Sequence, residues 1–591
     1  MGTARRGART ARGGLARASR RRLVVLLGGF GVAFLLVSAR LLSVQGVGSR
    51  AYEHIGTDQA LRNVTLPALR GSILASDGDE LAFSELRPTI FADPGEVTNV
   101  AGEARQLAPL LHQPVAALAT DLAERTTYVV LAAATTPTVS NRVAALDLAG
   151  IGVEQEPVRF HPAGNLAAPL LGTLDAAGRG ASGLEYEYNS LLAGHPGHEV
   201  VSVDPEGDPL PGGTVEQSPA IPGDDLLTTI NEPLQYQAEQ ILRHTVATTK
   251  ATSAIAIVMD RQTGDLLAVA DIVAGPGGRP VESPRPGAIV SVYQPGSVMK
   301  VVTVAGALAR HLITPDEVFT IPPALPVAGT LIHDAEVHPT EQLSVTGILA
   351  QSSNIGATEI AERLGPDLLY HYEAAFGFTH RTTVAFPGEP SGLVPRPDQF
   401  SGTTLATMSF GEAQAVTALQ VVAAYNAIAN GGVYVAPRLV TASVGPDGHE
   451  HLFSYPPPRR IVPASVAAAM TPMFEQVVSS GTGPNAQVKG YAIAGKTGTT
   501  NVLLPDGRYS NSVTDATFTG FYPAQDPVLS EIVVVKGSID YGAEGAAPAF
   551  SAIARAAIAD LGIPSDGPQP APADTSVPTI NGKVDTSLLG Y

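Results

Sequence analysis

Three short runs carry side chains able to do nucleophilic chemistry together. In the first, Gln294-Pro295-Gly296-Ser297-Val298-Met299-Lys300, a serine precedes a lysine by three positions. On a helix that spacing is one turn, so the hydroxyl and the amine share a face within reach of each other. A lysine that has lost its proton can take the one on the serine, and the alkoxide can attack a carbonyl to form a covalent ester. Pro295-Gly296 sets a tight turn into the helix start, where unpaired N–H groups and the dipole favour developing negative charge. To serve as the base, Lys300 needs its pKa brought from roughly 10.4 towards 7 or 8, by burial and by a neighbouring cation.

The second run, Ser352-Ser353-Asn354, offers a hydroxyl at Ser352 for proton relay. Asn354 offers an amide with both donor and acceptor to hold Lys300 and a substrate amide. The same residues also suit an N-cap for the following Ile355 helix, and Asn354 can do both. In the third run, Lys496-Thr497-Gly498-Thr499, the lysine is the expected neighbouring cation, placed on an edge strand beside the serine. Thr497 and Thr499 add donors for a substrate carboxylate, and Gly498 clears space where substrate backbone must approach. Backbone N–H groups of Ser297 and of the strand near Thr499 are the expected oxyanion hole.

A lone Ser-x-x-Lys reads as an ordinary helix start with an exposed lysine. Here lysine is scarce: only Lys250, Lys300, Lys489, Lys496, Lys536 and Lys583 occur, and two of them fall in these runs. A guanidinium stays charged at any useful pH, so arginine cannot replace a lysine that must lose its proton. Cysteine is absent, which excludes disulfides, a thiol nucleophile and a zinc–thiolate site. The tightest metal-like cluster is His333, Asp334, Glu336 and His338 in a Pro-flanked polar stretch, read as a solvated loop. No metal and no cofactor are expected.

Apolar periodicity supplies the elements that must position these groups. From Ser297 to Leu312 the pattern is helical, with Val298, Val301, Val302, Ala305, Leu308 and Leu312 on one face that should be buried. Ahead of it, the stretch from Leu226 predicts a strand and then a long amphipathic helix, and residues 254–271 predict a hairpin about a Thr-Gly-Asp turn. Helices follow at Val345–Ala350, Ile355–Leu364 and Ala418–Ala429. Strands are expected at Ala492–Thr499, Ala516–Tyr522 and Ser530–Val535, and a closing helix at Ala547–Leu561. Strands at both ends with helices between fit an α+β fold, an antiparallel sheet covered by helices on both faces.

The chain has 591 residues, too many for one core, and a formal charge of −18. The first 22 residues hold eight arginines and no acid, so the remainder is more acidic still and nucleic acid is excluded as a partner. The apolar run Leu23–Ala39 follows, long enough to span when Arg40 snorkels and Leu41–Val44 complete the helix. Arginines before the span place the N-terminus in the cytoplasm and the body outside. Two competing readings are a signal-peptidase site at Val37-Ser38-Ala39 and a twin-arginine signal at Ser19–Leu23. The expected organisation is a cytoplasmic segment 1–22, an anchor 23–44, a strand-containing pedestal 45–225 with a Pro-Gly linker from Pro205 to Gly223, a catalytic domain 226–563 and a disordered tail 564–591.

Taken together, the Ser-x-x-Lys, Ser-x-Asn and Lys-Thr-Gly runs in this order resemble the signature of active-site serine acyltransferases that react with penicillins. With Arg70–Ile73, Gly183–Gly194, Ala385–Pro395, Ala424–Val433 and Phe518–Pro527, the chain resembles class B penicillin-binding proteins from about Arg70 to Phe550, most like the cell-division (FtsI-like) type. That resemblance implies the penicillin-binding transpeptidase fold behind a dimerisation-like pedestal. It also implies a D,D-transpeptidase that cross-links peptidoglycan stem peptides and releases terminal D-Ala. Implied partners are stem peptides, β-lactams, a SEDS-type glycan polymerase and divisome membrane proteins. Other readings are an elongation-type transpeptidase, a non-catalytic divisome scaffold, and a β-lactam-hydrolysing or sensing protein. Phe410-Gly411-Glu412-Ala413 departs from the family's Tyr-Gly-Gln-Gly, and Ala75-Ser76-Asp77-Gly78 keeps only the glycine of Asp-Arg-x-Gly.

Overall fold

The computed structural model describes residues 12–43, 61–204, 209–504, 507–571, 579–580 and 583–584. The described chain divides into two compact units, Met1–Ala68 with His195–Ile221, and Leu69–Gly194 with Pro222–Tyr591. The stretch expected to form the pedestal is therefore shared between the two. In the first unit, helix α1 (Arg12–Leu42) contains one segment, Arg20–Leu42, long and apolar enough to cross a membrane. It fits a single-pass anchor. A three-stranded antiparallel sheet of Leu61–Leu66, Gly197–Val203 and Pro209–Ser218 completes this unit. The described part of the expected linker is thus mostly a strand. It lies at the sheet edge, where proline's missing N–H costs no ladder bond.

The second unit is built on two sheets. One joins distant parts of the chain, because Ile73–Leu74 pairs in parallel with Asp225–Thr228 and antiparallel with Glu80–Ala92. Beside it lies a buried charge cluster. Arg70 Nε meets Glu185 Oε2 at 2.5 Å and Arg159 Nε meets Glu185 Oε1 at 2.8 Å. Arg70 also donates to Asn189 Oδ1, and Arg159 to the Gly71 carbonyl. One carboxylate thus ties Arg70–Ile73 to Gly183–Gly194, two of the runs singled out in the sequence.

The other sheet has six strands. They are β1 (Ser253–Asp260), β2 (Leu266–Ala274), β3 (Pro280–Glu282), β4 (Ala494–Leu503), β5 (Tyr509–Tyr522) and β6 (Leu529–Ser538), in the spatial order β3-β2-β1-β6-β5-β4. Every pairing is antiparallel. Alternation sends successive side chains to opposite faces, and both faces are apolar. Ala254, Ala256 and Val258 pack with helices α2 (Glu232–Thr249) and, near the C-terminus, Ala547–Leu561. Ile255, Ile257 and Met259 enter the other core. That core holds α3 (Lys300–Ala309), α4 (Val345–Ala350), α5 (Asn354–Leu364), α6 (Ala418–Ala429) and α7 (Ala464–Ser479), with α8 (Ala547–Leu561) left on the opposite face. The α+β arrangement with helices on both faces is as the sequence predicts.

Two further expectations need correction. The helix expected from Ser297 opens with a 3₁₀ turn, Gly296–Met299, and is α-helical only from Lys300 to Ala309. Its apolar face is buried as expected, Leu312 being only partly so. The tail expected to be disordered from 564 begins as a docked strap. Asp566 accepts from the Ala492 N–H at 2.9 Å, and Gln569 Oε1 from the Ile493 N–H at 2.7 Å, satisfying backbone just before β4. Most of the tail, like residues 1–11 and 44–60, lies outside the described residues.

Removing one partner from a buried charge cluster leaves its counter-charges uncompensated, at about 3–5 kcal/mol. Glu185→Ala should therefore lower unfolding stability by about that amount, measured by urea denaturation. A loss under about 1 kcal/mol would mean that the two guanidiniums are solvated instead.

Candidate active site

Gly296 lets Ser297 sit where it does. Its φ is +62°, and a Cβ there would lie 2.8 Å from Thr500 Cγ2 and 3.0 Å from the Thr499 carbonyl oxygen, so the turn carrying Ser297 is pressed against β4. Its N–H donates to the Gly411 carbonyl at 3.2 Å, and the Tyr425 hydroxyl of α6 donates to the Val298 carbonyl at 2.9 Å. The serine is thus held from the sheet side and from the helical side. Ser297 is half-buried, whereas Lys300 is 0 % exposed.

The Lys300 amine lies 2.9 Å from Ser297 Oγ, 2.6 Å from the Ser352 carbonyl oxygen and 2.9 Å from Asn354 Oδ1. Two of these three oxygens can only accept. A neutral amine has two N–H donors and one lone pair, which matches two acceptors and one hydroxyl donor. Burial is the leading cause that brings Lys300 down to about 7, while the negative charges of Asp334 and Glu412 pull the other way. Lys496 is also 0 % exposed, and is driven well below the usual lysine range by burial first and by the Lys300 charge second. Two ammonium groups so placed do not both stay charged at neutral pH.

Ser352 joins the two amines. Its Oγ lies 3.3 Å from Lys300 Nζ and 2.9 Å from Lys496 Nζ. Lys496, on the edge strand as expected, thus reaches Ser352. Ser352 has φ +64°, a left-handed backbone rare for a residue with a Cβ and a frequent mark of functional strain. The helix cap falls one residue earlier than Asn354: Ser353 Oγ accepts from the Gly356 N–H at 2.9 Å. The Asn354 amide is left for Lys300 through Oδ1 and for the His333 carbonyl through Nδ2, at 3.1 Å.

The Lys-Thr-Gly run differs from expectation at one position. A Cβ on Gly498 would lie 2.6 Å from the Pro295 carbonyl oxygen and 3.1 Å from Val298 Cγ1, so the close approach it permits is by the chain's own turn around Ser297. Thr497 Oγ1 pairs with Thr482 Oγ1 at 2.6 Å. Thr499 Oγ1 accepts from the Gly542 N–H at 3.0 Å, which leaves its own proton to donate. At the departure from the family run, Gly411 and Glu412 present carbonyls to the Gly296 N–H and the Gln294 amide. Glu412 adds a negative charge felt by Lys300, its own carboxyl being pushed up by burial and held down by that lysine.

The stretch His333–His338 does not form a metal site, and among the described residues no cluster of three or more such side chains could hold one. Asp334 is instead a ligand of the chain itself, contacting Ser353, Asn354 and Ile355. The sequence marked it only as a member of that cluster, read as a solvated loop, because nothing in an aspartate of a polar loop points to a partner 20 residues on.

The model of the penicillin-binding protein transpeptidase domain matches residues 254–555, and that of the penicillin-binding protein dimerisation domain matches residues 65–228. The chain is 32 % identical over 505 residues to the penicillin-binding protein PbpB of Mycolicibacterium smegmatis, covering 78 % of this chain and 77 % of that one. It is 30 % identical over 561 residues to the peptidoglycan D,D-transpeptidase FtsI of Escherichia coli, covering 92 % of each. The crystal structure of penicillin-binding protein 3 of Mycobacterium tuberculosis complexed with aztreonam is similar at 29 % identity and a TM-score of 0.68, over 86 % of this chain and 100 % of that one. The chain belongs to the class B penicillin-binding proteins, in which such a transpeptidase domain follows a dimerisation domain.

A base that works only when neutral gives a rate that rises with pH and is lost below its pKa. Acylation by a penicillin should therefore fall tenfold per pH unit below about 7 and level off above it, read from rates with a fluorescent β-lactam. A flat profile from about pH 5 to 9 would exclude a titrating amine.

Proposed function

We propose that this peptidoglycan D,D-transpeptidase acts through Ser297 as nucleophile and Lys300 as base, in septal cell-wall synthesis. The observation that carries this is the fully buried Lys300 amine, whose partners match a neutral amine accepting from Ser297. In the first step, Ser297 Oγ bonds to the carbonyl carbon of the penultimate D-Ala while its proton passes to Lys300. N–H groups of Ser297 and of the strand near Thr499 receive the oxyanion. The C–N bond to terminal D-Ala then breaks, and the leaving amine takes a proton from Lys300 through the Ser352 hydroxyl that bridges both lysines. An acceptor amine on a neighbouring strand gives its proton to Lys300 and attacks the ester, and Lys300 returns that proton to Ser297 Oγ as the ester C–O bond breaks, leaving the cross-link and the free serine. Lys496, Thr497 and Thr499 hold the carboxylate of the terminal D-Ala, and Asn354 holds Lys300 and the substrate amide. A β-lactam is read by the same groups and leaves a slowly released ester.

The same reading assigns residues 1–22 to the cytoplasm, 23–44 to the membrane and the body outside it, where arginines resist translocation. Residues 45–225 form the pedestal, 226–563 the transpeptidase domain and 564–591 the tail. A SEDS-type polymerase and divisome membrane proteins are the proposed partners.

After exposure to penicillin, mass spectrometry should find the adduct on the peptide containing Ser297, persisting for many minutes. An adduct on Ser352, or rapid turnover to penicilloate, would contradict the transpeptidase assignment, the latter in favour of a β-lactamase. Lys300→Arg keeps a charge but removes the base, so acylation should fall about 10²- to 10⁴-fold. Lys496→Arg keeps N–H donors for a carboxylate and should be milder. Equal rates for Lys300→Arg and the unmodified chain would send the proton elsewhere.

A further inference from the structure

Helix α5 begins at the active site, and the orientation of its first residue decides whether Asn354 faces Lys300. That orientation is set from outside the helix. Asp334 lies in the connection between the short strand Thr330–Ile332 and the strand Glu341–Ser344, far from the helix in sequence. Its side chain is only 10 % exposed. Oδ1 accepts from the Asn354 N–H at 2.5 Å and from the Ile355 N–H at 2.9 Å, and Oδ2 accepts from Ser353 Oγ at 2.7 Å. His338 Nε2 stands 3.3 Å from Oδ2. The adjacent His333 carbonyl takes the Asn354 Nδ2–H. One loop thus fixes both the backbone of Asn354 and the flip of its amide, leaving Oδ1 turned to Lys300 at 2.9 Å.

These contacts exceed what capping requires. Ser353 already caps the helix through the Gly356 N–H, so α5 has its cap without Asp334. What Asp334 adds is the aim of the two residues flanking Ser353: Ser352, in its left-handed conformation, and Asn354. Both touch Lys300.

We propose that Asp334 is a positioning residue for acyl transfer, holding Ser352 and Asn354 on the Lys300 amine through Ser353 and the first N–H groups of α5. This rests on the reading of Lys300 as the base. The carboxylate acts in two separable ways, by hydrogen bonds and by charge. Asparagine keeps the accepting oxygen and can donate to Ser353 Oγ, but carries no charge; alanine removes both. The charged and titratable groups facing this region are His338 and, behind it, Glu341, with Lys300, Lys496 and Glu412 on the catalytic side. Loss of the Asp334 charge removes one of the two influences that keep Lys300 protonated.

The test compares the unmodified chain, Asp334→Ala and Asp334→Asn, each in detergent. Three quantities are measured: non-covalent affinity for a fluorescent penicillin, acylation rate across pH, and melting temperature. Misaim of a catalytic group costs about 10²-fold, so Asp334→Ala should acylate about 10- to 100-fold more slowly, a loss larger than any in non-covalent affinity, to which Asn354 gives a single contact. Asp334→Asn should recover most of the rate, with the limb of its pH profile moved to lower pH. A pH limb displaced in this way is not produced by loss of stability alone. Asp334→Ala acylating at the unmodified rate, or Asp334→Asn with an unmoved limb, overturns the proposal. If Asp334→Ala does not fold, the limb of Asp334→Asn decides. Failure of the unmodified chain to acylate on Ser297 would overturn the underlying reading and this proposal with it.

Discussion

Two lysine amines, brought from positions 300 and 496, are fully buried and share one serine hydroxyl. Burying one ammonium is costly; burying two within hydrogen-bond reach of a common oxygen is more so, and the relief is loss of a proton. The surrounding fold meets that constraint. Edge strand β4 brings Lys496 to the face of the sheet covered by α3 to α7, α3 carries Lys300, and the α4–α5 turn supplies the hydroxyl and the two pure acceptors between them. The left-handed Ser352 backbone belongs to the same solution, since it lets one residue present both its carbonyl and its hydroxyl to Lys300.

Around this centre the contacts are mostly backbone against backbone. The Ser297 turn lies so close to β4 and to Gly411 that side chains are excluded at the points of contact, and the Tyr425 hydroxyl closes it from α6. Rigidity of this kind suits chemistry that depends on placement within a fraction of an ångström. The sheet behind it is apolar on both faces, so its strands have no freedom to slip register without exposing core residues.

Much of this was legible in the sequence because the chemistry constrains residue types. Serine, lysine and asparagine at Ser297, Lys300, Ser352, Asn354 and Lys496 are brought together as the motifs imply. The helix Ala547–Leu561 and the hairpin of β1 and β2 follow from periodicity and a turn signal. Other features depend on partners distant in sequence. Gly498 reads as room for substrate, yet its neighbour is Pro295. Asn354 reads as a cap, yet Ser353 takes that place and Asp334 reinforces it from a loop. The strand Pro209–Ser218 reads as linker because proline and glycine also mark linkers, and only pairing with Gly197–Val203 tells the two apart. The strap at Asp566 and Gln569 is polar like any tail, and its order comes from the unpaired backbone at Ala492 and Ile493.

The most direct measurement is of the Lys300 amine itself. With only six lysines in the chain, ¹³Cε-labelled lysine should give a spectrum simple enough for the Lys300 signal to be assigned by its loss in Lys300→Arg. In the unliganded protein that signal should titrate at about pH 7, far below the ordinary lysine range. A Lys300 signal that stays in its charged position up to about pH 10, the range of an ordinary lysine, would contradict a buried neutral base.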